Sequence, residues 1–258
     1  MYVQTGDGAT DGHPVALVHG AGLDHTSWRF QTRWLAARGY RLLAPDLPGH
    51  GDSPGPNCRS IEEYAGRVAG LIESSVGSAV SMVGHSMGAL IALAVAAVRP
   101  ELASALILVG SSAHMKVHHD LMTAAHEDLG LAARLIAGWS FPASYGGGHP
   151  EPGTWEPGGV VRVIARSGEG VLAADLAACE AYDPGPAGRR LTLPTLIVTG
   201  SDDRMTSARG AQGLADLIPG SRLEVISGAG HQPMSQTPRR FNAVLGDFLT
   251  SSGKSSDR

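Results

Sequence analysis

Between Val80 and Arg99 a short apolar run (Val80, Met82, Val83) meets Gly84-His85-Ser86-Met87-Gly88. It passes at once into a stretch of Ala, Leu, Ile and Val that Pro100 stops. The first part has the length and β-branching of a buried strand, and the last is long enough for a buried helix. Glycines two before and two after a serine let a strand turn sharply into a helix, because no Cβ at 84 or 88 collides with neighbouring backbone. Ser86 can then hold a strained dihedral at the tip. The helix start behind its hydroxyl supplies free N–H groups and a partial positive charge. A G-x-S-x-G sequence in this strand–turn–helix setting presents a nucleophile, whereas the same letters in a loop are a glycine-rich turn with an incidental serine.

The rest of the chain repeats the pattern. Tyr2–Thr5, Val15–Val18, Arg41–Ala44, Ala105–Val109, Leu193–Thr199 and Leu223–Ile226 read as further strands. Helices are expected at Trp28–Arg38, from the capping box Ser60-Ile-Glu-Glu63 to about Ser74, at 207–217 and at Arg239–Leu249. Short apolar strands alternating with helices predict an α/β fold, a doubly wound, mostly parallel sheet of seven or eight strands covered on both faces. Only one strand is read before Val15. The rhythm breaks from Ala113 to Arg190, where no strand is evident. Helical patterns are expected there at His118–Ile136, Val160–Arg166 and Val171–Tyr182, with a Gly/Pro/aromatic loop at Trp139–Gly159. A segment this long with its own helical pattern reads as an inserted helical cap, or lid, at 113–190. The core is then 1–112 with 191–250, and the polar stretch 251–258 is expected to be a disordered tail.

Composition narrows the partners. The 258 residues carry 24 Asp and Glu against 20 Lys and Arg, for a net charge of −4. Without basic clusters this argues against nucleic acid, and no amphipathic or polybasic stretch suggests a membrane partner. The first thirty residues lack a charged n-region followed by an apolar h-region, so the cytoplasm is the expected location. Cys58 and Cys179 fit no metal or C-x-x-C spacing and read as free thiols. Val15–Val18 runs into His19-Gly20-Ala21-Gly22, which begins like a dinucleotide fingerprint, but His25 stands where the third glycine belongs. His114, His118, His119 and His126 lack a completing carboxylate or cysteine pattern and read as solvated surface histidines, so no metal and no organic cofactor is expected.

In open parallel sheets the ligand crevice lies beyond the carboxyl ends of the strands. Four loops at such ends carry candidate chemistry: His19–Gly22, Gly84–Gly88, Gly200–Asp203 and Gly228–His231. A serine hydroxyl is a poor nucleophile at neutral pH and needs a base beside it. Histidine titrates near neutrality, and its second nitrogen needs an acceptor to fix the tautomer. Ser86, an aspartate of the Asp202–Asp203 pair, and His231 supply these parts in the chain order Ser…Asp…His.

With these stretches in view, the chain resembles the α/β-hydrolase fold superfamily, in particular small bacterial-type carboxylesterases with a short helical cap. Leu-Val-His19-Gly-Ala-Gly, Asp46-Leu-Pro-Gly-His-Gly-Asp-Ser53, Gly84-His-Ser-Met-Gly88, Leu-Ile-Val-Thr-Gly200-Ser-Asp-Asp203 and Gly-Ala-Gly-His231 carry the likeness, and they span nearly the whole core. The resemblance implies Asp203 rather than Asp202 as the acid. It implies an oxyanion hole made by the N–H groups of Met87 and Ala21, with Gly22 as the fallback. His19 is expected to support its loop, and His85 to be structural or pocket-lining. Trp139, Phe141, Tyr145 and Trp155 either line a substrate pocket or pack the lid. The implied reaction is hydrolysis of a small carboxylic ester or related acyl compound. Carbon–carbon bond hydrolysis, lactone hydrolysis, perhydrolysis or a lyase step on the same residues are the alternatives, and a non-catalytic ligand-binding protein is a further one. Haloalkane and epoxide chemistry is disfavoured, because those relatives place Asp where Ser86 stands. Oligomeric state is not legible.

Overall fold

The computed structural model describes residues 1–5, 11–142 and 156–253. In chain order the core begins with β1 (Val3–Gln4), β2 (Pro14–Val18), a 3₁₀ turn at His25–Trp28, α1 (Arg29–Ala36), β3 (Arg41–Pro45) and α2 (Ile61–Ser75). It continues through β4 (Val80–His85), α3 (Met87–Val98) and β5 (Ala103–Val109). Five helices follow among the described residues: α4 (His119–Glu127), α5 (Leu129–Ser140), α6 (Glu156–Ala165), α7 (Val171–Ala181) and α8 (Gly185–Gly188). The core then resumes with β6 (Thr195–Gly200), α9 (Ala208–Leu217), β7 (Arg222–Ile226), α10 (Pro233–Gln236) and α11 (Pro238–Gly253).

The strands form a seven-stranded sheet in the order β1-β3-β2-β4-β5-β6-β7. β1 runs antiparallel to β3 at one edge, and every other pairing is parallel. This is the doubly wound α/β sheet expected from the alternation, in its seven-stranded form. Successive side chains of a strand leave opposite faces, and the core divides accordingly. Ala16 and Val18 pack with Ile61, Tyr64, Leu90 and Leu214 on one side. Val15 and Leu17 pack with Trp28, Leu35, Phe241 and Leu245 on the other. β4 lies between β2 and β5, so the serine turn at its end is flanked by strand ends on both sides.

Local chemistry accounts for the helix starts. Ser60 accepts the Glu63 N–H at 3.2 Å, and Glu63 reaches back to the Arg59 N–H at 2.8 Å. The capping box is therefore present, with its return bond one residue earlier than the simple pattern.

The helices between β5 and β6 have an apolar cluster of their own, which includes Leu121, Ala133, Ile136, Phe141, Ile164 and Leu172. Leu23, from the loop after β2, joins that cluster and docks the insert on the core. The single helix expected over 118–136 is instead two. Asp128 leaves the helical region (φ −148°, ψ 87°), and its carboxylate accepts the Leu131 N–H at 2.9 Å, which restarts the chain as α5. α6 begins at Glu156, ahead of the expected Val160, while α8 and α10 were not foreseen. α11 runs on through Gly253 rather than stopping at Leu249. Ser251 and Ser252, expected in the tail, donate their hydroxyls to the Phe248 carbonyl at 2.8 and 2.9 Å and continue the helix. The remainder of that tail lies outside the described residues. No helix among the described residues is long and apolar enough to cross a membrane.

Candidate active site

Ser86 has φ 53° and ψ −116°, the one positive φ outside glycine among the described residues. Its flanking glycines are required by close approach. A Cβ on Gly84 would run into the Gly88 carbonyl, and one on Gly88 would meet the carbonyls of Val18 and His19. The strained turn is held by the Ser86 N–H, which donates to the Val109 carbonyl at 2.8 Å. Backbone strain of this kind stores on the order of 1–3 kcal/mol, which the surrounding packing offsets.

His231 and Asp203 arrive from the ends of β7 and β6. His231 Nδ1 lies 2.9 Å from Asp203 Oδ2, with both side chains buried. The other Asp203 oxygen accepts the N–H groups of Met205 and Thr206, each at 2.8 Å, and the Thr206 hydroxyl donates to Oδ2 at 2.8 Å. Burial alone would raise the Asp203 carboxyl. The His231 charge, its hydrogen bond and the Thr206 donors outweigh burial and bring the carboxyl below its ordinary value, so it is ionised at neutral pH. Asp202 is exposed and accepts the Ser201 hydroxyl at 2.9 Å, which makes it a loop residue. Of the two aspartates, Asp203 is the one that meets the histidine.

The His231 loop is fastened from two directions. Its N–H donates to the Ser140 carbonyl at the end of α5 at 2.8 Å, and Gln236 Nε2 donates to the same oxygen at 2.8 Å. Gly230 lies so close that a Cβ there would strike this carbonyl. The His231 carbonyl lies 3.0 Å from His85 Nε2. Burial first, and then the neighbouring His231, lower His85 to a pKa of about 3, so it is neutral and donates from Nε2. His85 thus links the serine turn to the histidine loop and also lines the cavity. His19 is neutral for the same leading reason, burial, followed by the charge of His50, which together bring it to about 4. Its Nε2 accepts the Leu47 N–H at 3.0 Å, and Nδ1 donates to the Gly20 carbonyl at 2.9 Å, so it supports the loop as expected.

Ser86, His85, His231 and Ala21 open onto one cavity of about 750 Å³, walled by Leu23, Leu121, Ile136, Trp139 and Leu176 among others. The N–H groups of Met87 and Ala21 have no hydrogen-bond partner among the described residues. Gly22 differs. Its N–H donates to Asp175 Oδ2 at 2.9 Å, so it is committed elsewhere and cannot serve as the fallback donor or contact substrate through that group. Trp139 lines the cavity, whereas Phe141 is buried in the apolar cluster of the insert, where it packs rather than lines. Tyr145 and Trp155 lie outside the described residues. His118, His119 and Asp120 bring their polar atoms within 4.8 Å of one another, all three on the exposed surface.

Sequence reasoning passed over a second buried constellation. Asp175 of α7 is fully buried and accepts from His50 Nε2 at 2.7 Å, from the Tyr64 hydroxyl at 2.7 Å and from the Gly22 N–H. Burial opposes charge on His50, but the Asp175 charge and hydrogen bond prevail and its pKa is raised. An acid set among small apolar residues in Ala-Ala-Asp175-Leu-Ala-Ala was the available signal. The aspartate that a dinucleotide reading would have needed, Asp46, is likewise occupied. It accepts the His25 N–H, His25 Nδ1 and the Asp52 N–H, each at 2.8 Å.

With fold and geometry in hand, the relatives fall into line. A sequence model described as the Alpha/beta hydrolase family matches residues 15–244, and the chain belongs to that family. It is 30% identical over 263 residues to the 2-hydroxy-6-oxo-6-(2'-aminophenyl)hexa-2,4-dienoic acid hydrolase of Metapseudomonas resinovorans, covering 94% of this chain and 86% of that protein. It is 29% identical over 248 residues to a pimeloyl-acyl-carrier-protein methyl ester esterase of Neisseria meningitidis, covering 91% and 93%. Among solved structures, a malate-bound thermophilic esterase from Thermogutta terrifontis superposes with a TM-score of 0.85 at 28% identity, covering 97% of this chain and 93% of the other. The relatives named are hydrolases and esterases.

Proposed function

We propose that the protein is a serine hydrolase that cleaves a small carboxylic ester, or a related acyl compound, through an acyl-enzyme on Ser86. The observation that carries this reading is the buried Asp203–His231 pair opening onto the same cavity as a serine held at positive φ. His231 Nε2 takes the Ser86 hydroxyl proton as Oγ adds to the substrate carbonyl carbon. Asp203 keeps Nδ1 protonated and stabilises the imidazolium. The developing oxyanion is met by the N–H groups of Met87 and Ala21, and loss of one such donor typically costs about 3 kcal/mol of transition-state stabilisation. The imidazolium then gives its proton to the departing alkoxide. His231 next activates a water, which adds to the acyl carbon and releases the acid, returning the proton to Ser86. In this reading the helices between β5 and β6 act as a cap that walls the substrate cavity.

A fluorophosphonate probe tests the assignment directly. Covalent labelling at Ser86 in folded protein is expected, and its absence would favour a binding protein instead. A second chemistry on the same residues, hydrolysis of a carbon–carbon bond, is favoured by the name of the Metapseudomonas relative. A panel of p-nitrophenyl esters of rising chain length, set beside a lactone and a vinylogous diketone, separates the two.

A further inference from the structure

We propose that the compound cleaved at Ser86 carries a negative charge remote from its scissile carbonyl, a carboxylate or similar anion, and that Lys116 and Arg204 recognise it. The inference rests on the serine hydrolase reading above and adds the substrate class to it.

The cavity has two kinds of wall. Around Leu23, Leu121, Ile136, Trp139 and Leu176 it is apolar. Its exposed margin carries Lys116 and Arg204, and no Asp or Glu occurs among the described lining residues. That sign is opposite to the molecule's own, since acids outnumber bases over the whole chain and the net charge is −4. A cleft lined by one sign of charge, set in low-dielectric walls, concentrates ligands of the other sign.

The two cations come from neighbouring loops. β5 and β6 are adjacent parallel strands; Lys116 lies on the loop after β5 and Arg204 on the loop after β6. The loops are tied by the Ala113 N–H, which donates to the Gly210 carbonyl at 3.3 Å. Each cation is next to a methionine that also lines the cavity, and both thioethers are held. Met115 accepts from the Ser111 hydroxyl at 3.6 Å, and Met205 accepts from the Ser140 hydroxyl at 3.2 Å. The chain therefore places a thioether in the wall and a cation beside it, twice.

Neither cation is spent on another described residue. Arg29, Arg99 and Arg222 each meet a glutamate, yet Lys116 and Arg204 have no ion pair or hydrogen bond among the described residues. Arg204 follows Asp203 directly, but that carboxylate is taken by His231, Thr206 and the Met205 N–H. Asp120, the carboxylate beside the lining residues His118 and His119, pairs with both of them. Two unpaired cations at the mouth of an apolar cavity fit an amphiphilic anion: carbon chain inward, charge at the opening.

The test compares substrates that differ in one charge. Mono-4-nitrophenyl adipate and its methyl ester place the charge on the acyl side. 4-Acetoxybenzoate and its methyl ester place it on the leaving group. In at least one pair, the wild type is expected to favour the anion by about tenfold in kcat/KM, the scale of two modest, partly screened ion pairs, with most of the difference in KM. That ratio should fall about threefold in Lys116→Gln or Arg204→Gln, reach parity in the double variant, and invert in K116E/R204E. Raising the salt should shrink it. Arg222→Gln, which changes net charge away from the cavity, should leave it unchanged. Neutral esters turned over with no anion preference in either pair, or a preference that survives the double variant, would overturn the inference while leaving the serine hydrolase reading intact. Failure to turn over any ester would strike that reading itself.

Discussion

Among the described residues are two buried aspartate–histidine pairs that look alike on paper. In one, Asp203 holds His231 at 2.9 Å, and in the other Asp175 holds His50 at 2.7 Å. In both, the carboxylate takes further hydrogen bonds from nearby donors. The difference lies at the far side of each imidazole. His50 is closed in completely, with Nδ1 3.2 Å from the Pro48 carbonyl and Nε2 on Asp175, so both ring nitrogens face acceptors. His231 lines the cavity, and its Nε2 has no partner among the described residues. An Asp–His pair becomes a candidate for proton transfer when one nitrogen is left open to a ligand. When both are engaged, the same pair is a cross-link. Here the cross-link joins α7 of the insert to three parts of the core, through Gly22, His50 and Tyr64.

The contrast can be broken experimentally, and the largest effect is expected at the open pair. Ser86→Ala or His231→Ala should lower kcat by about 10⁴ to 10⁶, Ser86→Ala with little change in urea midpoint. Ester turnover near wild type in either variant would sink the mechanism. Asp203→Asn leaves the shape but removes the acceptor that fixes the tautomer, and should lower kcat by about 10⁴.

At the closed pair the expected loss is of stability. Asp175→Ala strands a buried imidazole, a phenol and a backbone N–H, and should cost about 3–5 kcal/mol in urea unfolding. A midpoint unchanged from wild type would mean that the insert is held by its apolar contacts alone. The smallest effect concerns pH. The His50 pKa is raised in the fold, so its contribution is fully present below the unfolded value of 6.5 and is lost as pH rises through the folded value. His50→Gln should flatten that alkaline decline in melting temperature. The acid side should stay steep, because His19 and His85 are held at about 4 and about 3. The stability gained by keeping them neutral is present above 6.5 and lost as pH falls toward those values.

What could be read from the sequence follows the range of the interactions. The serine turn is local: strand, glycines, serine and helix lie within twenty residues, and each constrains its neighbours. His231 and Asp203 were legible because strand ends of a parallel sheet gather on one side, so topology did the work of distance. The closed pair offered no such rule. His50 and Asp175 are 125 residues apart, and one of them sits in a helical insert whose docking no strand order dictates. The break at Asp128 was missed for the opposite reason. Its signal is local, an aspartate able to cap, but the 3.6-residue apolar period continues through it and hides the restart. α10 is too short to show any period, and Pro233 at its start is the only local cue. Gly22 shows how an insert can reassign a core residue, since the resemblance implied its N–H as a fallback oxyanion donor and Asp175 claims it.

The Ser140 carbonyl, which receives both the His231 N–H and the Gln236 amide, bears on how such proteins are recombined. The end of α5 belongs mechanically to the histidine loop although it lies some ninety residues earlier in the chain. A chimera that takes its segment between β5 and β6 from a relative therefore has to keep a carbonyl in the Ser140 position, within reach of the His231 N–H and the Gln236 amide. Gly230 must travel with whatever carbonyl occupies that place, because any side chain there would push the two halves of the graft apart.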